Sequence, residues 1–363
     1  SSPMNPWAFL LAIASCATQQ LPADALAQPP RCFRSTARPL SQRCGATETM
    51  AADAPKNSAF VFVKPHAVTE PTISLVREEL EKAGITVTSE GSITSESIDE
   101  KKLVDNHYYA IASKATITPP AELAVPEAKF KDFFGEEWGD VLAAGRAKTA
   151  LEAGKLLELD GAAMDAAWGA AKKAGEIIKL GGGFYCGRLK PAAEGADSIY
   201  TFNAFYMSMR DRFTKPGGSI HYFVVEWDPS TLAWSKFRGE LLGPTDPTAA
   251  PAESIRGQIF AKWQDLGLKA EPNTGDNGVH ASASPFEGLA ERMNWLEVDP
   301  KDDAFGAFIL DKGLPLEVLL AWSKDPVVKL DAAGESKGSL FDALEDSDAA
   351  DCAAKIEELA QFA

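Results

Sequence analysis

The alternation of apolar and polar residues along the chain sorts it into short elements. "AFVFVK" (59–64) is apolar and β-rich and stops at Lys64-Pro65, which predicts a buried strand running into a loop. Residues 70–84 repeat with helical spacing. Ile73, Val76, Leu80 and Ala83 share one face, Pro71 suits the first turn, and Gly84 supplies a stop. Residues 85–93 alternate as a strand does, and 97–113 predict a second helix with acids early and Tyr108 and Tyr109 late. A Pro-marked boundary at 117–128 precedes two Ala-rich helical stretches, 138–157 and 162–179. "LGGGFYCG" (180–187) reads as a flexible connector, since it lacks the Lys-Ser/Thr of a P-loop. Helical patterning resumes at 198–213, and "GSIHYFVVEW" (218–227) is the most strand-like run. A helix at 230–241, a turn at 243–247 and a short segment at 255–263 come after it. A helix at 284–296 is next, with Ser284 as its cap and Pro285 at its first position. The last stretch is acidic and ends in a helix at 348–362. This order favours a mixed α/β sandwich over a long parallel sheet.

Composition narrows the partners. The 363 residues carry a formal net charge of −16 and are 45% hydrophobic. That supports one large core or two ordinary ones. It argues against general binding of nucleic acid or anionic membrane, so a polyanion would need a local cationic pocket. Of five cysteines, three (Cys16, Cys32, Cys44) lie near the N-terminus and none forms a CxxC pair, so neither a zinc site nor a disulfide framework is expected. The apolar run at 6–17 followed by the Arg-rich, acid-free 31–44 reads as a bipartite leader to a plastid or other organelle. Translation from Met50 would instead leave a cytoplasmic protein. No later stretch is apolar enough to predict a transmembrane helix, so the mature body is not expected in a membrane.

His280, in "DNGVHASAS" (276–284), is one of four histidines and sits among small residues. Taken alone it is an ordinary turn residue. Five other stretches change that. "VKPHAV" (63–68), "HYY" (107–109), "FRGELLGPTDP" (237–247), "ESIRGQIF" (253–260) and Glu291 stand around it in a fixed order. In that order they resemble the motifs of the nucleoside diphosphate kinase family, over 58–113 and 200–297. The resemblance implies an α+β fold: a ferredoxin-like βαββαβ antiparallel sheet with helices on its faces. It leaves 114–199 as a largely helical insertion, 1–50 as leader and 301–363 as an acidic extension.

The implied activity is transfer of the γ-phosphoryl group of ATP to nucleoside diphosphates, ping-pong through a phosphohistidine. The chemistry suits imidazole, which attacks while neutral and forms a phosphoramidate energetic enough to pass the group on. The transition state is loose, so the protein's task is to position and neutralise. The resemblance implies His280 as nucleophile and Glu291 as its orienter, with Ser282 and Tyr108 in support. It implies Lys64, Arg238, Thr245 and Arg256 at the phosphates and Asn277 at the ribose. Phe205 or Tyr206 is the expected aromatic under the base. Mg²⁺ would arrive on the nucleotide phosphates rather than in a protein cage, with no metal ligands of its own. His66, His107 and His221 receive no chemistry. The chain departs from the family at His66-Ala67, at Ala281 and Ala283, and in the insertion, which leaves open whether it forms a homo-oligomer of the family's usual type. The rival expectation is a nucleotide-binding regulatory or structural module with weak or no catalysis.

Overall fold

The computed structural model describes residues 55–191 and 195–362, and the leader readings at 1–50 lie outside them. The fold is organised by strand β1 (Asn57–Val63), all seven residues of which are buried. Alternation sends Ala59, Val61 and Val63 to one face and Phe60 and Phe62 to the other. The first face packs on Ile73, Val76 and Leu80 of the Glu70–Lys82 helix and on Ile255 and Ile259 of the Ile255–Lys262 helix. The second packs on Ile98, Leu103, Val104, Phe213 and Trp295. A strand apolar on both faces belongs inside a sheet, and β1 lies between β6 (Ser219–Trp227) and β7 (Val279–Ala281). β2 (Thr86–Thr94) closes the far edge, giving the order β2-β6-β1-β7. All three pairings are antiparallel, with Phe62 opposite Tyr222 on one side and His280 on the other.

The predicted helix at 97–113 is in fact three short pieces, Ser95–Glu100, Leu103–His107 and Tyr109–Ala112. Lys102 takes a left-handed conformation (φ 54°) and Tyr108 leaves the helical region, so the axis breaks twice where periodicity alone runs on. The predicted helix at 198–213 opens as strand β5 (Ile199–Phe202) before turning into the Tyr206–Thr214 helix. Residues 180–187, expected to be a connector, form the hairpin between β3 (Ile177–Gly181) and β4 (Phe184–Leu189). Gly183, at φ +58°, makes its turn.

The segment 114–199 therefore supplies β3 and β4 of a three-stranded antiparallel sheet, β3-β4-β5, that continues past its end, alongside its helices. Phe130, Phe134, Trp138, Ile178 and Phe184 of the segment form a separate core together with Tyr200 and Phe202 of β5. The expectation of helices there was incomplete because short strands packed on aromatic helices carry little period-two signal. The C-terminal region, with the small β8 (Val327–Lys329) and β9 (Lys337–Ser339) ladder, wraps onto the Pro285–Leu296 helix. Phe286 and Leu289 of that helix join Phe305, Ile309, Leu319, Leu340, Leu344 and Ile356 in a continuous cluster. Asp348 fastens this region to β1 by accepting from Asn57 Nδ2 at 2.7 Å and from the Trp234 backbone N–H at 2.8 Å. The architecture is α+β, with antiparallel sheets and many helices. Among the described residues, no helix is long and apolar enough to cross a membrane.

Candidate active site

His280 stands in the middle of edge strand β7, where pairing with β1 points its ring at the Phe60/Phe62 face. The Phe62 ring stacks on it, centroids 4.7 Å apart at 28°. That contact fixes one face of the imidazole, and the side chain keeps 17% of its surface exposed. The loop before it is held from two sides. Gly278 sits at φ +87° with Ile259 beneath it, a position where a Cβ would fall 2.9 Å from the Ile259 side chain. Its N–H donates to His66 Nε2 at 3.2 Å and its carbonyl accepts from the Lys64 N–H at 2.9 Å. His66 thus staples the Lys64 turn to the His280 loop. Burial lowers its pKa to about 4, which keeps that nitrogen an acceptor. Ala281 and Ala283, where the family resemblance has Gly and Asp, are not among the positive-φ residues, so the alanines introduce no backbone strain.

Glu291 reaches the ring from the Pro285–Leu296 helix, whose start is set by Pro285 and by Ser284 accepting from the Glu287 N–H at 3.1 Å. His280 Nε2 and Glu291 Oε1 are 2.5 Å apart. The carboxylate's other oxygen accepts from Ser282 Oγ at 2.5 Å, and Ser282 Oγ in turn accepts from the Phe60 N–H at 2.8 Å. Nε2 being engaged, Nδ1 is the nitrogen left for chemistry. Burial raises the Glu291 carboxyl to about 7. Burial, then the charges of Lys64, Arg256 and Arg238, pushes the His280 pKa well below its usual value, so the ring is neutral at pH 7.

Those cations come from three separate segments. Lys64, directly after β1, donates to the Gly275 carbonyl at 3.2 Å. Burial, with Arg256 beside it, lowers its pKa to about 7. Arg256 is buried on the Ile255–Lys262 helix and is locked by the Gly243 carbonyl at 2.7 Å and the Val279 carbonyl at 3.0 Å. Arg238 is half-buried on the 237–242 turn. Its Nη1 donates to Glu345 at 2.6 Å and to Asp346 at 2.7 Å, two acids of the C-terminal region. The Asp346 N–H donates to the Ala283 carbonyl at 2.9 Å, which carries those carboxylates to the edge of the His280 loop.

The other predicted residues divide. Asn277 is 1% exposed and donates to the Thr245 carbonyl at 3.0 Å, while its Oδ1 is buried without a partner. Thr245 thereby takes part through its backbone. Tyr108 lines a cavity of about 210 Å³ together with His280, Glu287, Glu291, Asn294, Ser323 and Phe341. Burial, then Glu291, raises its phenol pKa and keeps it protonated. Neither Phe205 nor Tyr206 offers a ring face to a base here. Phe205 packs near Trp168 and Tyr185 of the insertion, and Tyr206 is 1% exposed in the interior. Three further neighbours were given no role from the sequence. His107 lies with its ring 4.9 Å from that of His280, Glu287 shares the cavity, and the Glu345-Asp346 pair sits on Arg238.

No family model matches the sequence, and no curated protein does. Among solved structures, the chain is similar to an apo nucleoside diphosphate kinase from Encephalitozoon cuniculi (13% identity, 67% of this chain and 90% of that chain, TM-score 0.32). It is similar also to an NDP kinase from Pyrobaculum aerophilum (18% identity, 66% of this chain and 96% of that chain, TM-score 0.31). Likeness at these scores says nothing about chemistry, and only the arrangement around His280 bears on it.

Proposed function

We propose that this protein passes the γ-phosphoryl group of ATP to nucleoside diphosphates by way of phospho-His280. One observation carries the reading: a neutral imidazole with Nε2 held by a buried carboxylate stands within electrostatic reach of Lys64, Arg256 and Arg238. Attack from Nδ1 builds positive charge on the ring, which Glu291 offsets, while the cations meet the charge spread over the phosphoryl oxygens. Mg²⁺ comes as part of the substrate, on the nucleotide phosphates. The unpartnered Oδ1 of Asn277 is an acceptor suited to a ribose hydroxyl. The strand order β2-β6-β1-β7, every pair antiparallel, supports a ferredoxin-like βαββαβ sheet interrupted by the 114–199 insertion. Phe205 and Tyr206 are withdrawn from the base-stacking role, since Phe205 packs near Trp168 and Tyr206 is buried with no ring face left for a base.

The regulatory-module reading keeps one point in its favour: Glu345 and Asp346 already occupy Arg238, so phosphate must displace them. Incubation with γ-labelled ATP separates the two. Acid-labile, alkali-stable label that GDP discharges, and that His280→Ala loses, is the expected result. Label persisting in His280→Ala, or ATP binding with no exchange onto GDP, overturns the phosphotransferase assignment.

A further inference from the structure

His107 is a buried histidine that the proposed phosphotransfer does not use. Its side chain is 7% exposed, and Nδ1 lies 3.5 Å from Glu291 Oε1, too far for a strong hydrogen bond. One ring nitrogen of each histidine, His107 and His280, and one Glu291 oxygen all fall within 4.8 Å of one another. We infer that His107, His280 and Glu291 form a binding site for a Zn²⁺-like divalent transition metal, with its fourth position open to the cavity lined by Tyr108, Asn294 and Ser323.

The donor set selects the class of ion. Two imidazoles and one carboxylate suit Zn²⁺, whereas Mg²⁺ prefers oxygen ligands and keeps its waters. Donors about 2.0–2.1 Å from a tetrahedral zinc stand roughly 3.3 Å apart. The His107–Glu291 separation of 3.5 Å already fits. The His280–Glu291 contact of 2.5 Å opens by less than about 1 Å as the metal replaces the shared proton, a change that rotation of the carboxylate supplies. Ser282 steadies the second carboxylate oxygen, as outer partners do in metal sites.

Binding has a chemical consequence. When a metal takes Nε2, the one proton of the neutral imidazole moves from Nε2 to Nδ1, so the nitrogen otherwise free for attack becomes an N–H donor. Zinc at this site therefore blocks phosphorylation of His280. This consequence rests on the phosphohistidine reading, whereas the metal site does not.

The test uses untagged, chelator-stripped full-length protein titrated with Zn²⁺ against a chromophoric competitor at pH 7, and with Co²⁺ followed by its visible spectrum. One tight equivalent and a four-coordinate cobalt spectrum are expected. His107→Ala and His107→Gln, checked for folding by near-UV circular dichroism, should each weaken zinc by about 100-fold or more. No stoichiometric zinc in the wild type, or unchanged affinity in both variants while folded, overturns the site. In the labelling assay, zinc should suppress label in the wild type and spare it in His107→Ala. Stoichiometric zinc with undiminished label overturns the blocking role. Zinc binding in a protein that takes no label even when metal-free removes the phosphohistidine reading and leaves the site standing.

Discussion

Replacing Glu291 with Gln tests how the buried carboxylate acts. The amide oxygen can still accept from His280 Nε2, and its NH₂ can donate to Ser282 Oγ, so shape and tautomer survive and only the charge is lost. With charge centres roughly 4 Å apart and an effective dielectric near 20, full unit charges attract by about 4 kcal/mol. A loose transition state develops about half of the ring charge, so the loss is about 2 kcal/mol, or ~30-fold in rate. The size of this effect must change with pH. Burial sets the Glu291 pKa at about 7, so the carboxylate is nearly complete at pH 8 and about one-tenth populated at pH 6. Single-turnover labelling under saturating ATP should show the wild type about 30-fold faster at pH 8 and only about threefold faster at pH 6. The rising limb through pH 7 should be absent in Glu291→Gln. A raised carboxyl pKa also means that the folded state holds the proton longer, so the stability this group contributes falls as pH rises from 4.5 through 7. The variant should therefore be no less stable than the wild type at pH 8 by thermal melting. A rate ratio that is the same at pH 6 and pH 8, or a variant within threefold of wild type throughout, refutes the charge argument.

Lys64, lowered to about 7 when free, regains its proton against phosphate, so nucleotide binding takes up a proton above pH 7. Calorimetry in buffers of different ionisation enthalpy should detect that uptake, with affinity falling by up to about tenfold per pH unit above 7. Glu345→Gln with Asp346→Asn frees Arg238 and should lower the KM for nucleotide by about 3- to 10-fold with little change in kcat, since these acids compete with phosphate rather than with the transition state alone. An unchanged KM would mean that Arg238 does not meet the phosphates. Gly278→Ala places a Cβ 2.9 Å from Ile259 at φ +87° and should cost about 1–3 kcal/mol in denaturant unfolding while also displacing His280. A neutral effect would contradict the packing of that loop.

Elements with strong local periodicity were legible without any structure. β1, the 70–82 helix, β6 and the 285–296 helix with its Ser284 cap are each specified by neighbouring residues, because burial on both faces, a 3.6-residue stripe or a capping side chain leaves a local mark. The types at the site could be read too, since a histidine among small residues with cations and an Asn nearby in sequence order limits the chemistry to a few classes. What the sequence left open is who meets whom. Glu291 faces His280 because a strand and the helix after it return to one another, and Arg238 meets Glu345 and Asp346 across 107 and 108 residues. His107 reaches Glu291 over a still longer separation. The insertion's strands were hidden for the same reason, their pairing being stabilised by aromatic residues from distant helices rather than by their own alternation. Local patterning determines elements because backbone hydrogen bonding and side-chain burial repeat over a few residues. The electrostatics of a site depends on distances and desolvation, and those exist only once remote segments have packed together.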